Sequence, residues 1–200
     1  MRIGIDLDNI LADFTGNFLR FHNHVYGTSL KDQDLVSYRF RDVVGCTRDE
    51  EMEKFYAFYQ TPFFLNIQPI PGSQDGISKL KSKYKLILVT ARQNDIAQIT
   101  NDWISRFFPS AFSEIYFMNH ASRSGDRFNK AERCSDLGIR LVIEDSDKVA
   151  KECADKGILT ILFDYPYNHK ANLPVLVKRV YSWPEIVDTL LQPYGNSIVL

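Results

Sequence analysis

Cysteine is scarce: Cys46, Cys134 and Cys153 are the whole complement of a 200-residue chain. Three scattered thiols suit neither a disulfide framework nor a zinc site, and the odd count points to free thiols in a reducing compartment, where they act as small apolar side chains. An excess of either charge is missing too. Lys and Arg number 24 against 25 Asp and Glu, a net charge of -1, so no global field draws the chain to nucleic acid or to a membrane surface. Any attraction for an anion is local. No apolar run approaches the length of a membrane span, and the chain opens as Met1-Arg2-Ile3-Gly4-Ile5-Asp6 without a basic leader and its apolar segment. Internal repeats and low-complexity tracts are absent as well. The expectation is a cytoplasmic protein with no membrane or stable nucleic acid partner, in which one core with a modest insertion fills the length. Its oligomeric state is left open.

What is present is ordinary globular material, 44% hydrophobic and 24% charged, laid out in a pattern. Short apolar runs of β type lie at residues 3–7, 86–89, 115–118, 141–143 and 158–163. Segments with apolar residues at helical spacing lie between them at 96–107, 130–137 and 149–156. This alternation predicts an α/β fold, a parallel sheet covered by helices on both faces. Gly138 and Gly157 fall just past the last two helices, where a left-handed residue closes a helix. The stretch from residue 8 to residue 85 is far longer than the dozen or so residues a crossover needs. Helices are predicted inside it at 14–26, 31–42 and 48–59, and Gln68-Pro69-Ile70-Pro71-Gly72 reads as the return linker. Residues 16–70 are thus expected to form a helical cap after strand one, with 1–15 and 71–200 as the catalytic core.

An open α/β sheet binds its ligands at the carboxyl ends of its strands, and four groups of residues fall there. Asp6 and Asp8 leave the first strand one residue apart, so a turn at Leu7 can aim one carboxylate at attack and the other at proton transfer. Thr90 and Arg92 offer a hydroxyl and a guanidinium suited to phosphate oxygens. Lys130 opens a helix. Glu144-Asp145-Ser146-Asp147 ends a strand with a dense acidic cluster, the natural site for a hard cation with oxygen ligands. Each group alone has a plain structural reading: an Asp turn, a β-branched strand residue, a solvated lysine, a helix cap at Ser146 or Asp147. Their conjunction, in this order and at these strand ends, is what those readings leave unexplained.

At these residues the sequence resembles the haloacid dehalogenase superfamily, whose four motifs it matches in order as Asp6-Leu7-Asp8, Thr90, Lys130 and Glu144-Asp145. More narrowly, Ile5-Asp6-Leu7-Asp8-Asn9-Ile10-Leu11-Ala12-Asp13-Phe14 resembles the opening of the 5′(3′)-deoxyribonucleotidases and related bacterial nucleotidases, and Asp164-Tyr165-Pro166-Tyr167-Asn168 adds to the likeness. Asn9 departs from the glycine common in that family, and Ala91 and Arg92 depart from the mammalian deoxyribonucleotidases. The resemblance implies a Rossmann-like sheet with a cap after strand one and a Mg²⁺-dependent phosphomonoesterase acting on nucleoside monophosphates. Asp6 would attack phosphorus, Asp8 would protonate the leaving oxygen and then activate water, and Thr90, Lys130 and Arg92 would hold phosphoryl oxygens. Asp6, the Asp8 carbonyl and Asp145 would bind the metal, with Glu144 behind them. As a general acid, Asp8 needs surroundings that raise its pKa.

Twelve of the twenty-six aromatic residues lie between Phe14 and Phe64. Some must build the core of a small cap; others can stack on a base, and Phe14 and Phe40 are the first candidates. Arg39, Arg41, Arg123, Arg127 and His120 are further basic residues within reach of the site. Other readings are a phosphatase of a sugar phosphate or of a nucleic acid 3′ phosphate, a signalling receiver domain, and a catalytically dead binding protein. A receiver keeps its phosphorylated aspartate on a middle strand with no large insertion, and a dead homologue would lack a motif residue. A dehalogenase has no use for Asp8.

Overall fold

The computed structural model describes residues 1–120 and 128–191. Six strands form one parallel sheet in the order β3-β2-β1-β4-β5-β6, with β1 at Arg2–Ile5, β2 at Lys85–Thr90, β3 at Glu114–Phe117, β4 at Leu141–Glu144, β5 at Leu159–Phe163 and β6 at Val177–Val180. β1 pairs with β2 on one side, Ile3 opposite Leu86, and with β4 on the other, Ile3 opposite Leu141. The chain therefore reverses direction across the sheet at β1, and the crevice at its carboxyl end is the switch point of the fold. Ile3, Ile5, Leu86, Leu88, Val142 and Ile143 are all buried, as continuous apolar strands covered on both faces should be. At Gly4 the sheet is closely covered: a Cβ there would meet the side chains of Ile139 and Val142 at 3.3 Å.

Core helices α5 (Ser73–Leu80), α6 (Ala97–Phe107), α7 (Lys130–Asp136), α8 (Asp147–Asp155) and α9 (Trp183–Leu191) cover the sheet. Asn129 caps α7 through Glu132 N and Ser146 caps α8 through Val149 N, so each helix starts at a side chain able to satisfy a free N–H. Gly138 and Gly157, at φ 62° and 71°, close the same two helices in the left-handed region, as expected. The helix predicted at 149–156 begins two residues earlier, and that at 96–107 follows a 3-10 turn at Asn94–Ile96.

Between β1 and α5 lie α1 (Phe14–Tyr26), α2 (Phe40–Val44), α3 (Arg48–Tyr59) and α4 (Pro62–Leu65). Asp13 caps α1, and a reciprocal pair of Thr47 and Glu50 caps α3. The helix predicted at 31–42 does not form. That stretch holds a 3-10 turn at Asp32–Asp34 and then runs non-helically to α2. Short polar side chains explain the failure: Asp34 accepts from Lys31 N at 2.8 Å, and Ser37 Oγ donates to Asp42 at 2.7 Å, contacts that compete with helical bonds. The insertion has an aromatic interior in which Phe18 meets Phe40, Phe55 and Phe58 at 4.7, 4.8 and 5.2 Å between ring centres. It is tied to the core by Trp103 Nε1, which donates to the Ile67 carbonyl at 2.8 Å, and by Tyr56 OH, which donates to Asp95 at 2.5 Å. No helix among the described residues is long and apolar enough to cross a membrane.

Candidate active site

The chain leaves β1 into a tight loop. Leu11 N and Ala12 N both donate to the Leu7 carbonyl, at 2.8 and 2.9 Å, and Asn9 N donates to Ala12 O at 2.8 Å, with Asn9 at φ 62°. The two aspartates at this turn have different partners within one cavity. Asp6 is buried, 2.9 Å from Lys130 Nζ. Asp8 is gripped by Arg92 in a fork, Nη2 to Oδ1 at 2.7 Å and Nε to Oδ2 at 3.0 Å. Burial pushes the Asp8 carboxyl above its ordinary range, Arg92 opposes this, and Asp6 adds to the rise. The net direction is the one a general acid needs.

Lys130 opens α7 and points its ammonium between Asp6 and Glu144, 3.1 Å from Glu144 Oε2. Burial alone would lower its pKa, but Asp6 and Glu144 hold it well above normal. Burial and the nearby Asp6 push Glu144 well up. Asp6, Glu144 and Asp145 can each bring one oxygen within 4.8 Å of the others. Asp145 accepts at Oδ2 from Tyr167 OH at 2.5 Å and from Asn9 Nδ2 at 3.0 Å, while its buried Oδ1 has no partner. Burial and Asp6 carry its pKa to about 7, against Tyr167 and Asn9. An orphaned carboxylate oxygen beside two further buried acids, balanced by one lysine, is a donor set that fits a hard divalent cation. Since the Asp8 carboxylate is turned to Arg92, only its main-chain carbonyl remains for such an ion.

Arg92, expected from the sequence at phosphate, lines the cavity with its guanidinium on Asp8 and on Thr100 Oγ1 at 3.1 Å, a charge-assisted fork that holds the second aspartate. Thr90 ends β2 fully buried, its Oγ1 accepting from Arg92 N at 3.2 Å. Asp147 lies in the first turn of α8, paired with Lys151 at 2.7 Å, and stands apart from the acidic trio.

Above this floor opens a cavity of about 380 Å³ lined by side chains of both the cap and the core. Both nominated rings, Phe14 and Phe40, line it, with Phe18, Phe55 and Tyr59; Arg39, Arg41, Arg48, Glu51 and His120 complete its polar wall. Arg41 is held by Glu51 at 2.9 Å. His120 Nε2 lies 2.6 Å from the Phe128 carbonyl. Arg123 and Arg127 lie outside the described residues. Sequence reasoning missed Tyr38, Asn9 and Tyr167 as site residues. Tyr38 is half-exposed and lines the cavity from the cap; protein crowded around its hydroxyl, with the charges of Asp145, Glu144 and Asp6, pushes its phenol up. Its ring meets that of Tyr167 edge-on at 5.6 Å. The available signals were the motif at residues 164–168 and the departure from glycine at Asn9, both taken as matters of family likeness without a role.

Residues 1–193 match the family described as 5′ nucleotidase, deoxy (pyrimidine), cytosolic type C. A 5′(3′)-deoxyribonucleotidase of Bacillus subtilis is 27% identical over 191 residues, 94% of this chain and 98% of that protein. The human cytosolic 5′(3′)-deoxyribonucleotidase is 22% identical over 201 residues, 94% of each. Among solved structures, YfnB of Bacillus subtilis, described as a HAD-hydrolase bound to magnesium, superposes with a TM-score of 0.63 at 20% identity, over 96% of this chain and 98% of that one. The chain belongs to the cytosolic type C 5′-nucleotidase family and so to the haloacid dehalogenase-type hydrolases of phosphoric monoesters.

Proposed function

We propose that the protein is a Mg²⁺-dependent 5′-nucleotidase that hydrolyses (deoxy)ribonucleoside monophosphates through an aspartyl phosphate on Asp6. The observation that carries the reading is the different partnering of two carboxylates at the end of β1: Asp6 beside Lys130 and the acidic pair, Asp8 gripped by Arg92 and raised in pKa. An Asp6 oxygen attacks phosphorus, the bond from phosphorus to the ester oxygen breaks, and the Asp8 carboxyl gives that oxygen its proton. Asp8, now anionic, takes a proton from water as the water attacks phosphorus. The bond to Asp6 then breaks, orthophosphate leaves, and both aspartates return to their starting states. Arg92 keeps Asp8 aimed throughout. Lys130 offsets the charge of Asp6 as it meets an anionic ester, and with Thr90 it fixes the phosphoryl end of the site. The cation, held by Asp6, Asp145 and the Asp8 carbonyl with Glu144 behind, would supply further neutralisation of the developing charge.

The cap, read as residues 16–70, selects the substrate. Phe14, Phe18, Phe40 and Phe55 give the cavity an aromatic, apolar wall, which suits a base better than a polyhydroxylated sugar. Initial rates on 5′ and 3′ mononucleotides and on sugar phosphates, with Mg²⁺ and then with chelator, test the reading. Nucleoside monophosphates should lead by at least tenfold in kcat/KM, and chelation should abolish turnover. A sugar phosphate at the head of the series would move the substrate elsewhere within the same chemistry, and turnover of no phosphate ester would refute the proposal.

A further inference from the structure

Asn9 is held at every polar atom. Its N–H donates to Ala12 O at 2.8 Å, its carbonyl accepts from Tyr165 OH at 2.8 Å, and its Oδ1 accepts from Thr15 N at 3.0 Å. Its Nδ2 donates to Asp145 Oδ2 at 3.0 Å and to Tyr167 OH at 3.1 Å. Tyr167 OH in turn donates to the same Asp145 oxygen at 2.5 Å. The Tyr167 ring has little freedom, since it stacks on Tyr165 at 5.3 Å with parallel planes and meets Tyr38 edge-on. The main chain of Asp145 is fixed as well, its carbonyl accepting from Asn168 Nδ2 at 2.8 Å.

Two donors on one carboxylate oxygen leave the other oxygen to be satisfied elsewhere, and Asp145 Oδ1 is buried without a partner. Asn9 also sits at φ 62°, a backbone region in which asparagine is tolerated and glycine is free. Glycine there would keep the turn and lose the clamp. We infer that Asn9 and Tyr167 are positioning residues that lock the Asp145 carboxylate in one rotamer, with Oδ1 presented to a divalent cation. The inference rests on the reading of Asp145 as a metal ligand. Groups that orient a ligand from behind commonly change metal affinity 10- to 100-fold when removed. Neither residue need touch substrate.

Two variants of the full chain test this. Tyr167→Phe removes one donor and keeps the ring stack, and Asn9→Gly removes the other in a residue suited to the φ. Mg²⁺ affinity is read by calorimetry, thermal melting is followed in chelator, and kcat/KM is measured against Mg²⁺ concentration. Each variant should raise the Mg²⁺ Kd about 10-fold or more, melt within a few degrees of wild type without metal, and regain activity as Mg²⁺ is raised. Tyr167→Phe leaves the Thr15 contact intact, so it decides the matter if Asn9→Gly disturbs the start of α1. Unchanged Kd, within twofold, in a Tyr167→Phe enzyme whose wild type hydrolyses mononucleotides with Mg²⁺ overturns the positioning role and leaves the proposed function standing. Loss of activity that excess Mg²⁺ does not restore also overturns it. A wild-type protein that binds no divalent ion overturns both.

Discussion

Asp6 and Asp8 differ by one position and by everything around them. Asp6 shares Lys130 with Glu144, and Asp8 owns the Arg92 fork, so the two substitutions should fail differently. Asp6→Asn keeps the volume and loses the nucleophile, and turnover should fall by at least about 10³-fold with melting little changed. Activity within tenfold of wild type would exclude covalent attack by this residue. Asp8→Asn should slow the steady state about 10²- to 10⁴-fold, the range of a lost general acid and base. It should also accumulate phosphate on Asp6 when the leaving group is good. Mass spectrometry of the quenched enzyme reads this, and phosphate on any other residue would reverse the assignment. Asp145 makes a third case. Its folded pKa of about 7 lies above its ordinary value, so in metal-free protein it erodes stability as pH rises from about 4 to 7, and the whole penalty is present at pH 8. Asp145→Asn removes that charge. The metal-free variant should melt higher than metal-free wild type at pH 8, by about 2 °C or more for each kcal/mol relieved, and should bind Mg²⁺ far more weakly. A lower melting temperature would show that burial and the neighbouring Asp6 do not disfavour the Asp145 charge in the folded protein.

At the scale of elements, the loop after β1 is held from behind by α9. Trp183 is fully buried, its Nε1 donates to the Ile10 carbonyl at 2.7 Å, and its ring lies over Gly76 of α5, where a Cβ would stand 2.3 Å from a ring carbon. Gly76→Ala must therefore push α5 and α9 apart. Overpacking of this kind costs about 1–3 kcal/mol, so the melting temperature should drop by about 2–10 °C. Because Trp183 carries the loop, kcat should fall as well, although Gly76 touches no site residue. A variant with unchanged melting and rate would show that the ring moves aside freely. The cap has its own logic. α1 and α3 form because Asp13 and Thr47 cap them and their aromatics bury one another, whereas residues 31–39 stay largely non-helical and deliver Tyr38 to the acidic cluster.

For the whole molecule, an ion bound by Asp6 and Asp145 at the floor of the cavity would join the ends of β1 and β4, and linkage would make that visible in stability. Mg²⁺ at about 100 times its Kd should add about 2.7 kcal/mol, which raises the melting temperature by about 5–10 °C in a chain of this size. Protein in chelator should remain folded and inactive. Ca²⁺ should also raise the melting temperature without restoring turnover, because its looser and higher coordination misplaces the nucleophile. Ca²⁺-supported turnover equal to that with Mg²⁺ would contradict this, and so would an unchanged melting temperature with either ion.

Much of this protein was determined by local pattern. The alternation of apolar runs and helical segments was enough for the parallel sheet, because strands buried on both faces must be apolar throughout. That Asp6, Lys130, Glu144 and Asp145 meet at one end of the sheet could be anticipated because the ends of neighbouring parallel strands open on one crevice. Gly138 and Gly157 showed their helix ends through a conformation few other residues accept. β6 and α9 escaped notice: β6 has only Val177 and Val180 buried, with Lys178 exposed between them, so its period is too weak to read. The helix expected at 31–42 was lost to side-chain contacts of Asp34 and Ser37 that a periodicity count does not weigh. What only the tertiary structure decided is which partner each charged group finds. Arg92 reads as a phosphate ligand beside Thr90, the fold brings Asp8 to it from the end of another strand, and Asn9 and Tyr167 meet at Asp145 across long separations in sequence. Partners chosen by through-space distance leave no trace in local spacing, since Coulomb and hydrogen-bond energies depend on where the chain returns.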